Sequence, residues 1–486
     1  MILSRKKEME LPATKLRIGL VIFPLILLTI APILYLFFGY PLYYSTSTYK
    51  HLSNSSSSSA ISSPSRYNHS SSSSDSYKTE DSEPSSYDND YDDTYHDPKS
   101  SSLHNNDRLS ISSSNGHHQV TPKKEHRRKK RKRKCDIFSG EWIPNPKAPY
   151  YTNTTCRAIH EHQNCIKYGR PDLGFMKWRW KPKECDLPLF DPYEFLEIVR
   201  GTRMAFVGDS VSRNHVQSLI CLLSRVEHPE GDSQQEFNFQ RWKYKTYNFT
   251  IATFWTTHLV RAEETETGPT GPNSFYNLYL DEPDPTWASQ IGEFDYIIIS
   301  SGQWFFRPLF LFDKQKRIGC LYCYIPGVRN VGAHFAYRRA LRTTFKTILG
   351  LENFKGEVFL RTFAPSHFEG GEWDKGGNCL KTRPYRSNET ELDGMNLETH
   401  SIQLDEFRIA NRDKNRNDGL NLRLLDVTQM MLLRPDGHPS RFGHKREDKV
   451  ILYNDCVHWC LPGPIDSWND FLLDMLKNRD LKRLKY

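Results

Sequence analysis

The chain has 486 residues, 37% of them hydrophobic and 26% charged, with a net charge of +8. That length far exceeds one small domain. The positive balance comes from one tract: Lys123–Lys134 carries ten basic residues and one acidic, and without its +9 the remainder stands at −1. A basic nucleic-acid-binding domain is therefore excluded, because the excess charge lies in a linker.

The first element is an uncharged apolar run of 23 residues, Ile18 to Tyr40, long enough to cross a bilayer. A cleaved signal peptide would have a shorter apolar core and a small-residue cleavage site. Arg5, Lys6, Lys7, Lys15 and Arg17 precede the run, and the next basic residue after it is Lys50. This asymmetry leaves residues 1–17 in the cytosol as a tail, makes 18–40 a signal anchor, and puts the rest across the membrane. The expected topology is single-pass type II.

Residues 41–134 have no periodic apolar pattern. Serine tracts (Ser55–Ser59, Ser70–Ser74) lead into an acidic, tyrosine-rich stretch at Tyr87–Tyr95 and then the basic tract. Such composition cannot bury enough apolar surface to offset its ordering entropy, so a disordered stem is expected. The basic tract would suggest a nuclear signal or nucleic-acid patch in a soluble protein. Behind an anchor it reads as a spacer, a contact for anionic polysaccharide or lipid, or a protease site.

Residues 135–200 form a cysteine- and aromatic-rich segment with little periodicity, and 201–486 form a second, regularly patterned domain. All ten cysteines follow the stem, an even number on the non-cytosolic side, which argues for disulfides. Only Cys320 and Cys323 have zinc-like spacing, without a second close pair, so no metal site is expected. Sequons at Asn54, Asn68, Asn153, Asn248 and Asn388 fit the same secretory setting.

From Thr202 onward the pattern is α/β. Thr202–Val207 reads as a buried strand and Val211–Leu223 as a helix with Val216, Leu219, Ile220 and Leu223 on one side. Strands follow at Tyr247–Trp255, Phe294–Ser300, Gly356–Thr362 and Leu422–Asp426. Helices are expected at Phe335–Leu349, Thr390–Asn411 and Asp466–Lys477. The alternation predicts a mainly parallel sheet covered on both faces, with the site at the strands' carboxyl ends. Ser210, Gly302 and the segment Thr362–His367 fall there.

Ser210 lies in Phe206-Val-Gly-Asp-Ser-Val-Ser-Arg-Asn-His215, at a strand-to-helix turn where its own N–H faces developing negative charge. An Asp/Ser N-cap is the plainer reading of that turn. A base is supplied 245 residues later by Asp455 and His458, three apart, so that the carboxylate can hold one ring nitrogen and leave the other for the serine proton. A surface Asp/His pair beside disulfide cysteines is the plainer reading there. Serine, turn and base together favour catalysis, with Asp209 as the structural cap.

Gly208-Asp-Ser210 with a C-terminal Asp-x-x-His is the pattern of the SGNH/GDSL esterases. Longer strings resemble the plant trichome birefringence-like family of polysaccharide O-acetyltransferases: Cys135-Asp-Ile-Phe-Ser-Gly-Glu-Trp142, Trp178-Arg-Trp-Lys-Pro182, Arg361-Thr-Phe-Ala-Pro-Ser-His-Phe-Glu-Gly-Gly371 and Asp455-Cys-Val-His-Trp-Cys-Leu-Pro-Gly463. The resemblance covers essentially all of Cys135–Leu476 and is greatest to the xyloglucan O-acetyltransferase branch, which acetylates galactosyl side chains. It implies an SGNH-type α/β domain with a smaller lobe, a Golgi membrane location and a hemicellulose acceptor; Ser210 attacking an acetyl donor with His458 as base would give an acetyl-serine intermediate. No bound cofactor is implied. The co-reactant is an acetyl donor, an acetyl-CoA-derived species being one candidate.

The resemblance also implies the bridges Cys135–Cys185, Cys156–Cys221, Cys165–Cys460 and Cys379–Cys456, leaving Cys320 and Cys323 paired locally or free. The superfamily's Gly-x-Asn oxyanion string has no clear match. Ser301-Gly-Gln-Trp304 is nearest, so the Gly302 N–H and Gln303 amide join the Ser210 N–H as oxyanion candidates. Trp178, Trp304 and Trp459 are candidate sugar platforms, with Trp180 and Trp373 also near the motifs. An acetylesterase, an acetyltransferase for xylan, mannan or pectin, and an inactive wall-polysaccharide binder are the alternatives.

Overall fold

The computed structural model describes residues 135–231, 238–265, 275–323, 325–413, 420–445 and 453–483. The expected tail, anchor and stem, with Asn54 and Asn68, lie outside them. Among the described residues no helix is long and apolar enough to cross a membrane.

In chain order the elements are β1 (Gly140–Pro144), β2 (Trp178–Pro182), α1 (Pro192–Ile198), β3 (Arg203–Gly208), α2 (Ser210–Leu223), β4 (Glu230–Gly231), β5 (Phe239–Tyr244), β6 (Phe249–Trp255), β7 (Val260–Glu264), β8 (Tyr276–Pro283), α3 (Pro285–Ala288), β9 (Tyr296–Ser300), β10 (Leu309–Asp313), β11 (Lys316–Leu321), α4 (Ala333–Leu349), β12 (Glu357–Arg361), α5 (Gly394–Asp413), β13 (Asn421–Leu425), α6 (Thr428–Leu432) and α7 (Ser467–Arg483). The central sheet has the order β13-β12-β9-β3-β6-β5-β4. Its five strands from β13 to β6 are parallel, and β5 and β4 add an antiparallel edge.

Alternation along the strands divides the core in two. On β3, Met204 and Phe206 point into one cluster while Ala205 and Val207 point into the other. Strand β9 repeats this, with Tyr296 and Ile298 against Ile297 and Ile299. Helices α2 and α7 cover the first face, and α4 and α5 the second. Each fully buried side chain of this kind contributes about 1.5–3 kcal/mol.

Helix α2 departs from the one-sided pattern expected of it: every residue except Ser210 and Arg213 is buried. Its outer side is covered by the segment before α1, whose Trp142, Tyr151 and Trp180 join Val216, Leu219 and Trp468 in one cluster. That cover comes from distant sequence, so local periodicity does not reveal it. A second sheet, β11-β10-β8-β7, was not anticipated either. Its β10–β11 hairpin turns through Lys314 and Gln315, both left-handed (φ 49° and 61°), where a turn signal would be Asn-Gly.

The segment before α1 has few elements of its own, the β1–β2 pair among them, and is bound on covalently. Bridges join Cys135–Cys185, Cys156–Cys221, Cys165–Cys460, Cys379–Cys456 and Cys320–Cys323. Around the third bridge Arg170 donates to the carbonyls of His438 and Asp436 (both 2.6 Å), and Leu461 N–H donates to Gln163 O (2.9 Å). The ion pair of Arg434 with Asp436 is fully buried, and Arg434 also donates to Phe175 O (2.6 Å). A Cys165→Ser/Cys460→Ser variant is therefore expected to lose about 2–4 kcal/mol of stability. Activity should fall at temperatures where the sheet is still folded, which circular dichroism and turnover measured together would test.

Candidate active site

The parallel strands run in the order β6-β3-β9-β12-β13, second-first-third-fourth-fifth in chain sequence. The strand order reverses between β3 and β9, and it is at the carboxyl ends of such a pair that open α/β sheets place their sites. Gly208 and Ser300 are registered partners there. A Cβ on Gly208 would run into the Ser300 carbonyl, so only glycine lets the two strands close to this point. Asp209 then caps α2, its Oδ1 accepting from Val211 N–H (3.0 Å). The carboxyl is buried, and burial pushes its pKa up while the buried Arg361 guanidinium at the end of β12 opposes the rise. Burial in turn lowers Arg361 to about 10. Ser210 is half-buried in the first turn, where helix N–H groups lack intrahelical acceptors.

Asp455 and His458 share one tight turn. Asp455 Oδ1 accepts from the backbone N–H of Val457 (3.1 Å) and of His458 (2.9 Å), and Oδ2 is 2.8 Å from His458 Nδ1. About a fifth of each side chain remains exposed. Burial raises the Asp455 carboxyl, but the charge and hydrogen bond of His458 outweigh this and hold it well below the usual carboxylate range. Burial likewise lowers His458, and the Asp455 carboxylate and hydrogen bond overcome that to leave it raised. With Nδ1–H directed at the carboxylate, Nε2 carries the lone pair; it is buried and has no hydrogen-bond partner among the described residues. Asp209 and Arg213, which flank Ser210, both act electrostatically on this ring.

Asn214 joins the two halves. It lies one turn after Ser210 on α2; its Oδ1 accepts from Trp459 N–H (2.8 Å) and its Nδ2 donates to Trp459 O (3.3 Å). Both bonds grip the residue next to His458, so the helix carrying the serine holds the loop carrying the base. The helical i, i+4 spacing within the serine motif was the signal for this residue, and sequence reasoning passed over it. Asn214→Ala should cost about 1–3 kcal/mol of stability by leaving the buried Trp459 N–H unmet. It should also lower kcat by about 10²-fold through misplacement of His458. Paired melting and turnover measurements check both.

A histidine chain supports the loop from beneath. His438 Nδ1 is 2.7 Å from His458 O, His438 Nε2 is 2.7 Å from His367 Nδ1, and His367 Nε2 is 2.9 Å from Leu432 O. Three bonds ending on two carbonyls need three protons, and two neutral rings carry two. Burial pulls both rings toward the neutral form, so one bond is unmade unless the pair shares an extra proton. No sequence spacing pointed to His438.

The remaining candidates divide. Gly302 is buried, and a Cβ there would sit 2.7 Å from the Phe363 ring. The Gln303 amide donates to Ala364 O (3.0 Å), which commits one of its two N–H groups. Trp304 is half-buried at the carboxyl edge. Trp459 is corrected: it is fully buried under the stacked ring of His438 (centroids 4.0 Å) and is core, not a sugar platform. Trp178 is half-buried on β2. It lines a narrow cavity with Leu222 and Asp470, and Leu222 lies about 18 Å along α2 from Ser210. Asn248 and Asn388 are exposed and Asn153 is half-buried. Among the described residues no group of three or more His, Cys, Asp or Glu could hold a metal ion.

Residues 187–475 match the PC-Esterase family, described as the "GDSL/SGNH-like Acyl-Esterase family found in Pmr5 and Cas1p", and residues 133–186 match the PMR5 N terminal Domain. Over 351 residues the chain is 59% identical to Protein trichome birefringence-like 19 of Arabidopsis thaliana, covering 72% of this chain and 82% of that protein. The chain belongs to the trichome birefringence-like family. Xyloglucan O-acetyltransferase 4 of Populus trichocarpa is 44% identical over 349 residues, covering 71% of this chain and 82% of its own length. Xyloglucan O-acetyltransferase 3 of the same tree is 43% identical over 352 residues, with 71% and 86% covered. This trichome birefringence-like chain thus has an acyl-esterase-type domain and polysaccharide O-acetyltransferases among its relatives.

Proposed function

We propose that this protein is a polysaccharide O-acetyltransferase that carries acetyl through Ser210 onto hydroxyls of xyloglucan, on its galactosyl side chains. The observation that carries the reading is His458: Nδ1 held by Asp455, Nε2 buried and without a hydrogen-bond partner among the described residues, and the loop gripped by the Asn214 of the serine helix. The named relatives, two of them xyloglucan O-acetyltransferases, support the substrate class.

Ser210 Oγ attacks the acetyl carbonyl of the donor while its proton passes to His458 Nε2. The tetrahedral intermediate collapses, the donor's leaving group takes that proton, and acetyl-Ser210 remains. A sugar hydroxyl then gives its proton to Nε2 as its oxygen attacks the ester, and Ser210 leaves as the alkoxide and regains the proton. The Ser210 and Gly302 N–H groups, each two residues beyond a registered strand end, are the oxyanion donors we favour, each worth about 2.7–4 kcal/mol. The Gln303 amide has one N–H left for that role. The reaction takes place in the Golgi lumen, behind the anchor at residues 18–40.

Incubation with a labelled acetyl donor and several unacetylated hemicelluloses tests this: label should move to xyloglucan. Label released only as acetate would replace the transferase with an acetylesterase. Label on xylan, mannan or pectin would change the acceptor. For the topology, protease should spare the catalytic domain in sealed vesicles and digest it once detergent is added.

A further inference from the structure

A contiguous row of aromatic and guanidinium groups leads away from the nucleophile. Arg213, one turn past Ser210, lies over the Trp255 ring at 4.7 Å. Trp255 ends β6, registered against Gly208, and meets Trp304 edge-on at 6.4 Å. Arg307 lies over Trp304 at 4.2 Å and reaches Trp373 at 5.9 Å. Trp373 meets Tyr453 edge-on at 5.5 Å, and Tyr453 stands two residues before Asp455. The row therefore begins beside the serine and ends beside the aspartate. Its members come from α2, from the carboxyl ends of β6 and β9, from the loop after β12 and from the chain leading into Asp455.

Core packing is the plainer account of aromatic contacts, and it does hold for Trp180, Trp287, Trp459 and Trp468, each at most 2% exposed. The row differs. Trp255, Trp304, Arg213, Arg307 and Trp373 are all half-buried, and Tyr453 is 55% exposed. A half-exposed ring row leading away from the nucleophile presents apolar faces and N–H donors to whatever lies along it. A pyranose matches that pair of properties: its C–H face packs on an aromatic ring and its rim of hydroxyls takes hydrogen bonds from guanidinium groups. At the Trp373 end of the row the exposed carboxylates of Glu372, itself paired with Lys375, and of Asp374 offset the guanidinium charge, so the row offers a neutral chain more than an anionic one.

We propose that Arg213, Trp255, Trp304, Arg307, Trp373 and Tyr453 form the track on which a neutral hemicellulose backbone lies while one of its side-chain hydroxyls reaches acetyl-Ser210. This rests on the acetyltransferase reading above and adds where the acceptor binds. Trp373 and Tyr453, farthest along the row from the serine helix, hold the backbone and lower KM for long acceptors more than for short ones.

The test is binding of xyloglucan oligosaccharide to the full-length Ser210→Ala protein, which cannot turn over. Adding Trp373→Ala with Tyr453→Ala should weaken Kd by about 10-fold or more. Tyr453→Ala alone, at an exposed position that leaves folding intact, should weaken it by roughly threefold, in keeping with a single aromatic contact. Tyr193→Ala, at a 62% exposed ring on α1, is the control and should shift Kd less than about twofold. Unchanged affinity in the Tyr453 and Trp373 variants, an equal loss in the control, or tighter binding of a polygalacturonate than of xyloglucan overturns the track. A track that binds as expected in an enzyme that transfers no acetyl would overturn the transferase reading and leave the track standing.

Discussion

Replacing Ser210 with alanine is expected to reduce acetyl transfer by about 10⁶-fold, the scale on which loss of a serine nucleophile acts. Serine is the only side chain at this turn able to carry the acetyl group. Asp209 beside it is buried and accepts from the Val211 N–H, so its carboxylate is already engaged as a cap. Ser212 is buried, and the Arg213 guanidinium cannot hold an acyl group. The Ser210 side chain is half-buried at a helix start, so its truncation should shift stability by less than about 0.5 kcal/mol. A folded, inactive variant is thus the expected product. Labelling with a serine-directed acylating inhibitor, read by peptide mass, should mark Ser210 in the parent and nothing in the variant. Mapping of the label to another serine would remove Ser210 from the mechanism.

The parts of this site that were legible in the sequence are those written within a few residues. The β3–turn–α2 string shows its strand, its glycine and its cap locally, and Asp455 and His458 lie on one turn. What was not legible depends on contacts between distant segments. Asn214 stands in the serine string, yet its partner Trp459 is 245 residues away. His438 reaches His367 across 71 residues, and nothing at either position marks the pair. Trp459 looked like a sugar platform because it adjoins His458, but its exposure is decided by the His438 ring stacked on it. The four-stranded sheet β11-β10-β8-β7 escaped for another reason. Its register shifts at Leu311/Phe312 and at Val260/Ala262 break the alternation, and its tight turn uses Lys and Gln in left-handed conformations.

Asp455→Asn is expected to leave the fold intact and to lower kcat by about 10⁴-fold, because the histidine will hold its proton on the wrong nitrogen. The geometry dictates which way the new amide must face. Oδ1 accepts from two backbone N–H groups, Val457 and His458, so the asparagine carbonyl takes that place. The amide nitrogen then occupies the Oδ2 position, 2.8 Å from Nδ1, and donates to it. Nδ1 becomes the acceptor, the proton moves to Nε2, and the ring can no longer take a proton from Ser210. The bridges at Cys456 and Cys460 on either side of the turn hold the loop in place, so the loss is chemical rather than structural. The pH profile separates the two. His458 must be neutral to act as base and its pKa is raised by the Asp455 carboxylate, so parent activity should climb as pH rises through that elevated value. Without the Asp455 carboxylate, burial is the largest influence left and lowers the ring's pKa, Arg213 adding to it and Asp209 opposing it, so the residual activity of the variant should reach its plateau at lower pH than the parent's. Asp455 itself is held far below the usual range and stays ionised throughout. An acidic limb that does not move, or a rate within about tenfold of the parent, would show that Asp455 serves only the backbone of its turn.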